Sequence, residues 1–393
     1  MEMDLTRLHA ETMPQFVCTL PTMFRKLLAL SAMTVSLFAA AQTPPPARVF
    51  YSGHSLMDQP LPAYLDAVAQ SLGTPLQWNR QYMVGSAIRS RSAGDNPAQP
   101  WSGYRSGDNR EGSGMDVLQE FKQPRTVTGG PYDTLLIAEQ HGLLGTLIWN
   151  DTVRHLRHYH DRFIEASPKG RTWFYEAWLD VSDKGDPRAW IAHERAASLR
   201  WQCIAERINH SLKAEGRSDR IESLPAAAAL VGMIERATSE TGLPGVTRSS
   251  VRQTVDSVVS DNVHLTPLGS YYMSLVLYGY LFDRSPAGAW KPPEVSAEAA
   301  KSLQDTAWKL VQKERQQRQR LDVKQCDQLM RDFVAPYWGY ARDTYKHQEG
   351  LITAYWNWAK RRWQWQRALS ADSPSNPMRY DAATDKRFWL PPP

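Results

Sequence analysis

At 393 residues the chain is long enough for one large domain or two modest ones, and an apolar content of 42% is ample for a core. A net charge of +5 is small for that length and does not suggest a nucleic-acid binder. The N-terminus reads as an address. Met23-Phe24-Arg25-Lys26 is basic, Leu27 to Ala39 is apolar, and Ala39-Ala40-Ala41-Gln42 offers small residues for cleavage. That pattern predicts a signal peptide over 23–41, too short for a comfortable membrane span, and a mature chain that is periplasmic or secreted. Residues 1–22 precede the basic region and read as an upstream extension from a mis-assigned start; the alternative is an amino-terminal anchor.

Thr43 to Pro46 is a Pro-rich spacer. Val49-Phe50-Tyr51 is an apolar run ending at Ser52-Gly53-His54-Ser55-Leu56, and a helical pattern follows from Leu61 to Leu72, closed by Gly73. Strand, tight turn, then helix is how an α/β fold presents a residue at the carboxyl edge of its sheet, where ligands bind. Gly53 gives the turn its backbone freedom, and Ser55 falls near the helix start, where free N–H groups point outward. Pro75 to Val84 alternates as a second strand and ends at Gly85-Ser86. Ser86 to Gly130 is rich in Gly, Ser, Asn, Arg and Pro and reads as a long loop beside the site. Trp101 and Tyr104 in it either form a sugar-stacking wall or pin the loop down, the second reading being preferred.

Tyr132 to Ala138 is a third, buried strand, followed by Glu139-Gln140-His141. Asp151 to Ala166 reads as a helix carrying His155, His158 and His160. No carboxylate or Cys ligand set accompanies them, so a solvated basic face is preferred to a metal site. Arg171 to Tyr175 is a fourth strand, whose carboxyl end makes Glu176 and Trp178 pocket candidates. A helix from Pro187 to about Glu215 carries Cys203. Arg220 to Pro225 is a fifth strand, with an Ala-rich helix behind it. This alternation implies a parallel sheet with helices on both faces.

Ser260-Asp261-Asn262-Val263-His264-Leu265 precedes an apolar helix from about Leu268 to Phe282, with Thr266 and Pro267 as its N-cap and first residue. An Asp three residues before a His folds back so that its carboxylate meets the ring's Nδ1–H and Nε2 faces outward. A nucleophilic serine needs such a partner pair. Gly53-His54-Ser55-Leu56 resembles the first block of the SGNH (GDSL-type) hydrolases, with His in place of the usual Asp, and Asp261-x-x-His264 resembles their last block. The resemblance spans roughly Arg48 to Pro286. It implies an α/β, flavodoxin-like three-layer sandwich with a five-stranded parallel sheet over 47–286, followed by a helical extension over 287–393.

The resemblance also implies a site: Ser55 as nucleophile, His264 as base, Asp261 orienting it, and the main-chain N–H groups of Ser55 and Gly85 as oxyanion donors. Where the family has an Asn in its third block, this chain has Glu139-Gln140-His141; Gln140 or Asn150 is the replacement donor, and Glu139 is a pocket candidate. The expected activity is that of an exported serine esterase acting on an O-acyl ester, acyl groups on carbohydrate being one class, with no metal or organic cofactor. The alternatives are a binding module for a cell-envelope glycan and an O-acyltransferase using the same triad. The expected partner is a small-molecule or glycan ester, with no nucleic acid and no stable membrane span in the mature chain.

Beyond Pro286 helices run from Val295 to about Leu321 and on to about Leu369. Trp356 and Trp363 are seven apart, as are Trp358 and Trp365, a spacing that suits packing into a neighbour; a ligand platform is the alternative. Phe388 to Pro393 is a strap or loose. Cys203 and Cys326 either pair, tying the tail to the core, or are two buried thiols.

Overall fold

The computed structural model describes residues 46–393, so the signal segment 23–41 and the extension 1–22 lie outside the described residues. Five strands form one parallel sheet: β1 (Ala47–Gly53), β2 (Leu76–Tyr82), β3 (Thr134–Ala138), β4 (Arg171–Tyr175) and β5 (Ile221–Leu224), in the order β2-β1-β3-β4-β5. The helices between the strands are α1 (Leu61–Ser71), α2 (Ile88–Ser92), α3 (Val117–Lys122), α4 (Leu143–Trp149), α5 (Thr152–Ala166) and α6 (Arg188–Ala214), and β5 is followed by α7 (Ala226–Ala237), α8 (Val251–Asp256) and α9 (Pro267–Phe282). Successive side chains of β4 point to opposite helical layers: Phe174 meets Trp201 of α6, and Trp173 meets Tyr280 of α9. The fold is therefore the expected three-layer α/β sandwich. Its strand order reverses at β1, so the β1 and β3 carboxyl ends form the crevice in which such folds place ligands.

Four further helices follow: α10 (Ala297–Gln317), α11 (Val323–Glu349), α12 (Leu351–Ala368) and α13 (Asp385–Phe388). They share the core of the sandwich. Leu303, Ala307 and Val311 of α10 and Met330, Phe333 and Val334 of α11 are buried in it. Cys203 of α6 and Cys326 of α11 form a disulfide, with Cα atoms 5.2 Å apart.

Some local expectations change. The stretch 86–130 contains α2, a 3₁₀ turn over Ser102–Arg105 and α3, because Gln81 at the end of β2 is buried and its amide donates to the carbonyls of Arg91, Gly103 and Ser106. Trp101 stacks on His158 with ring centres 3.9 Å apart, and Tyr104 is buried with its hydroxyl 2.8 Å from His158 Nδ1, so both pin the loop. The three histidines of α5 are buried, not solvated. His155 meets Ser92, His158 also reaches the Pro391 carbonyl, and His160 lies between Thr172 and Asp219. The C-terminal residues are a strap, held by Arg154 on the Phe388 carbonyl and Arg157 over the Trp389 ring. Trp365 is buried, as its spacing suggested, but Trp356 and Trp363 are 70% and 60% exposed: their face of α12 turns away from α11 and α4.

Candidate active site

β1 ends at Gly53, whose carbonyl accepts the Met83 N–H at 3.1 Å and so ties the β1 turn to the end of β2. Gly53 is not at positive φ, so the turn does not draw on the backbone freedom of glycine; what it uses is the missing Cβ, which would lie 2.7 Å from Met57 Sδ and push that side chain aside. Ser55 then opens a short 3₁₀ turn over Ser55–Met57, half-buried. From the far end of the chain, the Thr266 side chain caps α9 by accepting the Gly269 N–H, as its sequence predicted, and fixes the loop before it.

These two turns meet. The Ser55 hydroxyl donates to His264 Nε2 at 2.9 Å, and His264 Nδ1–H donates to Asp261 Oδ2 at 2.6 Å. Asp261 Oδ1 accepts the main-chain N–H groups of Val263 and His264, both at 2.7 Å. Burial pushes the Asp261 carboxyl up, but the bond to His264 and the two N–H groups outweigh it and hold the group down at about 2. Asp261 is thus ionised at neutral pH and fixes the ring with its Nε2 lone pair toward the serine. The site is open: the His264 and Asp261 side chains are 44% and 57% exposed.

Gly85 lies three residues past β2, at φ +61°, with open space where a Cβ would stand. Both the left-handed backbone and the clear approach favour glycine here. Among the described residues, neither the Ser55 N–H nor the Gly85 N–H has an acceptor. The side-chain amides of Gln140 and Asn150 are likewise without hydrogen-bond partners among the described residues. Asn150 caps α4, and the chain does fold back after it, since Thr152 reaches Glu139.

Three pocket candidates have other work. Glu139 is fully buried and spent: Oε1 accepts the Ile88 and Gln140 N–H groups at 3.0 and 2.8 Å, and Oε2 the Thr152 hydroxyl at 2.8 Å. Beside it Arg91, also fully buried, donates to Ser52 Oγ, to the carbonyl and hydroxyl of Ser86, and to the Ala138 carbonyl. Burial pushes the Glu139 carboxyl up while Arg91 pulls it back; burial pushes Arg91 down to about 10 while Glu139 opposes it. The pair therefore locks the Gly85–Ile88 loop against the third block and does not face a substrate. Glu176 is buried, takes the Ser223 hydroxyl at 3.1 Å, and lines a separate cavity of about 250 Å³ with Tyr280 and Arg318. Trp178 is buried, with its N–H on the Val263 carbonyl at 2.9 Å, so it supports the histidine loop from behind.

Sequence reasoning did not single out His54, His141 or Arg91 as working parts. His54 Nε2–H donates to the Glu139 carbonyl at 2.9 Å, and its Nδ1 is buried without a partner among the described residues. Burial, reinforced by the Arg91 charge, pushes His54 down to about 3, so it is neutral. The His141 ring lies 6.1 Å from that of His54; burial lowers its basicity, with the Asp180 charge opposing and that of His264 adding to the effect. The His-for-Asp exchange in the first block and the altered third block were the signals that could have pointed to this pair. Arg91 had none, sitting in a Ser/Arg-rich run.

No family model matches the chain, and no curated protein matches it. Among solved structures, a DUF4886 family protein from Bacteroides uniformis ATCC 8492 is similar over 68% of this chain and 95% of its own, at 13% sequence identity and a TM-score of 0.47.

Proposed function

We propose that this protein is a serine esterase of the SGNH type. The observation that carries the reading is the unbroken chain from Ser55 through His264 to Asp261, at 2.9 and 2.6 Å. Ser55 Oγ attacks the ester carbonyl as its proton passes to His264 Nε2, and Asp261 stabilises the imidazolium. The oxyanion takes the free N–H groups of Ser55 and Gly85, with the Gln140 or Asn150 amide as third donor. The tetrahedral adduct collapses, His264 returns the proton to the leaving alcohol, and water repeats the sequence on the acyl-enzyme to release the acid.

The exposure of His264 and Asp261 supports a bulky or surface-borne ester, such as an O-acyl group on carbohydrate, over a small buried one. Export is part of the proposal and rests on the sequence of 23–41 alone.

The test is acetate release from an aryl acetate by the purified protein beside Ser55→Ala and His264→Ala. Loss of about 10³-fold or more in both variants supports the triad. Folded protein no faster than its variants would refute hydrolysis of simple esters. Rate that appears only with an added sugar acceptor would instead mark an acyltransferase, and glycan binding unchanged by Ser55→Ala without turnover a binding module.

A further inference from the structure

The helix α12 has two faces of different character. Its inner face holds Ala354 and Trp365, both buried, and the Trp365 N–H donates to the Leu144 carbonyl of α4 at 2.6 Å. Its outer face leaves large apolar side chains in water. Ile352 is 89% exposed, and Leu351, Tyr355, Trp356 and Trp363 are also exposed. At 100° per residue, Ile352, Trp356 and Trp363 fall within about 40° of one line along the helix. The stripe is about 16 Å long at 1.5 Å per residue.

Charge on this helix has one sign. From Leu351 to Ala368 it carries Lys360, Arg361, Arg362 and Arg367 and no Asp or Glu. Lys360 and Arg367 are exposed and follow Trp356 and Trp363 by one turn, on the flank of the stripe. Glu349, just before the helix, is bonded to Asn357.

A sugar or a nucleic-acid base would use the tryptophan faces but would gain little from the projecting Ile352 and Leu351. An anionic lipid surface uses all of these groups: aliphatic tips enter the acyl boundary, indole and phenol rings sit at headgroup depth, and the cations reach phosphate. Among the described residues no helix is long and apolar enough to cross a membrane, so the helix would lie on the surface. We propose that α12 docks this protein on an anionic lipid bilayer through Ile352, Trp356 and Trp363, with Lys360 and Arg367 at the headgroup phosphates. The inference stands apart from the esterase reading. Through Trp365 the docked helix is joined to α4, the element that follows the third block of the candidate site.

The test uses the full chain with Cys18→Ser, carrying an environment-sensitive fluorophore on Ile352→Cys, mixed with vesicles of phosphatidylglycerol and phosphatidylethanolamine. A blue shift at 352, and none from the same probe on Lys301→Cys of α10, is expected. The local probe separates this contact from any made by the apolar N-terminal run. In parallel, a Trp356→Ser/Trp363→Ser variant should bind these vesicles about tenfold or more weakly, and Lys360→Glu/Arg367→Glu should abolish the preference over phosphatidylcholine. The replaced side chains are exposed, so an unchanged thermal midpoint is expected. A probe at 352 that does not shift on anionic vesicles, or shifts only with a soluble acidic polysaccharide such as alginate, would overturn the proposal.

Discussion

The indole N–H of Trp178 donates to the carbonyl of Val263, the residue before His264, at 2.9 Å. Two more bonds join the same segments: the Val181 N–H to the Asn262 carbonyl at 2.8 Å, and the Lys184 ammonium to the Val259 carbonyl at 2.9 Å. The chain after β4 is thus a shelf for the loop carrying Asp261 and His264. That shelf is held in turn by the tail, through the Tyr340 hydroxyl on the Asp180 carbonyl at 2.6 Å and the Tyr345 hydroxyl on the Asp180 carboxylate at 3.2 Å. The helical extension therefore buttresses the triad across the 85 residues that separate Trp178 from Val263.

Trp178→Phe keeps the ring in the core but removes the donor. A buried carbonyl that loses its partner costs about 1–3 kcal/mol. On the esterase reading, kcat for an aryl acetate should fall about five- to tenfold with little change in KM, because the loss falls on the alignment of His264 and not on substrate contact. An equal rise in KM with unchanged kcat would assign Trp178 to substrate binding instead.

Arg91→Met strands the Glu139 carboxylate in the interior and frees the Ser86 and Ala138 carbonyls. Arg91 and Glu139 influence each other by charge without a direct bond, so the loss falls mainly on the freed buried carbonyls, at about 1–3 kcal/mol each. Urea denaturation should show that loss. The double variant Arg91→Met/Glu139→Gln should recover part of it, since no unpaired charge remains. A single variant as stable as the parent would show that the pair is not the lock inferred for the Gly85–Ile88 loop.

The Cys203–Cys326 link closes a loop of 123 residues between α6 and α11. Cys203→Ser/Cys326→Ser should lower stability by about 2–4 kcal/mol, read as a shift in the denaturation midpoint, with the same shift when the parent is reduced. Since α11 carries Tyr340 and Tyr345, ester turnover should, on the esterase reading, become more heat-labile than in the parent.

Glu194 is fully buried beside the shelf and accepts the Leu179 N–H at 2.8 Å. Burial pushes its carboxyl up from 4.5 to about 8, the Leu179 bond opposing. The unfolded chain releases this proton near the ordinary value and the folded chain only near 8. The group's contribution is therefore complete below the ordinary value and drains away as pH rises through 8, at up to about 1.4 kcal/mol per unit. Denaturation midpoints between pH 5 and 9 should fall more steeply for the parent than for Glu194→Gln, which has no proton to lose.

What the sequence determined by itself was local. The run Val49 to Leu56 sets strand, glycine turn and serine within a few residues, and Asp261-x-x-His264 before Thr266-Pro267 sets the bent loop and the capped helix. The alternation of strand and helix patterns was enough for the parallel sheet, because period and chain order alone constrain such a topology. Only the tertiary structure decided which groups meet across the sheet. Glu139 faces inward onto the Ile88 N–H, with Arg91 on the adjacent Ala138 carbonyl, because α2 folds against the β1 and β3 ends, and no short-range pattern records that closure. Trp178 behind His264 and the pairing of Cys203 with Cys326 are long-range for the same reason. On α12 the limit is different. Aromatic residues occur on both faces of that helix, so its periodicity could not say which tryptophans would be covered. Contact with α4 and α11 buried Trp365 and left Trp356 and Trp363 in water.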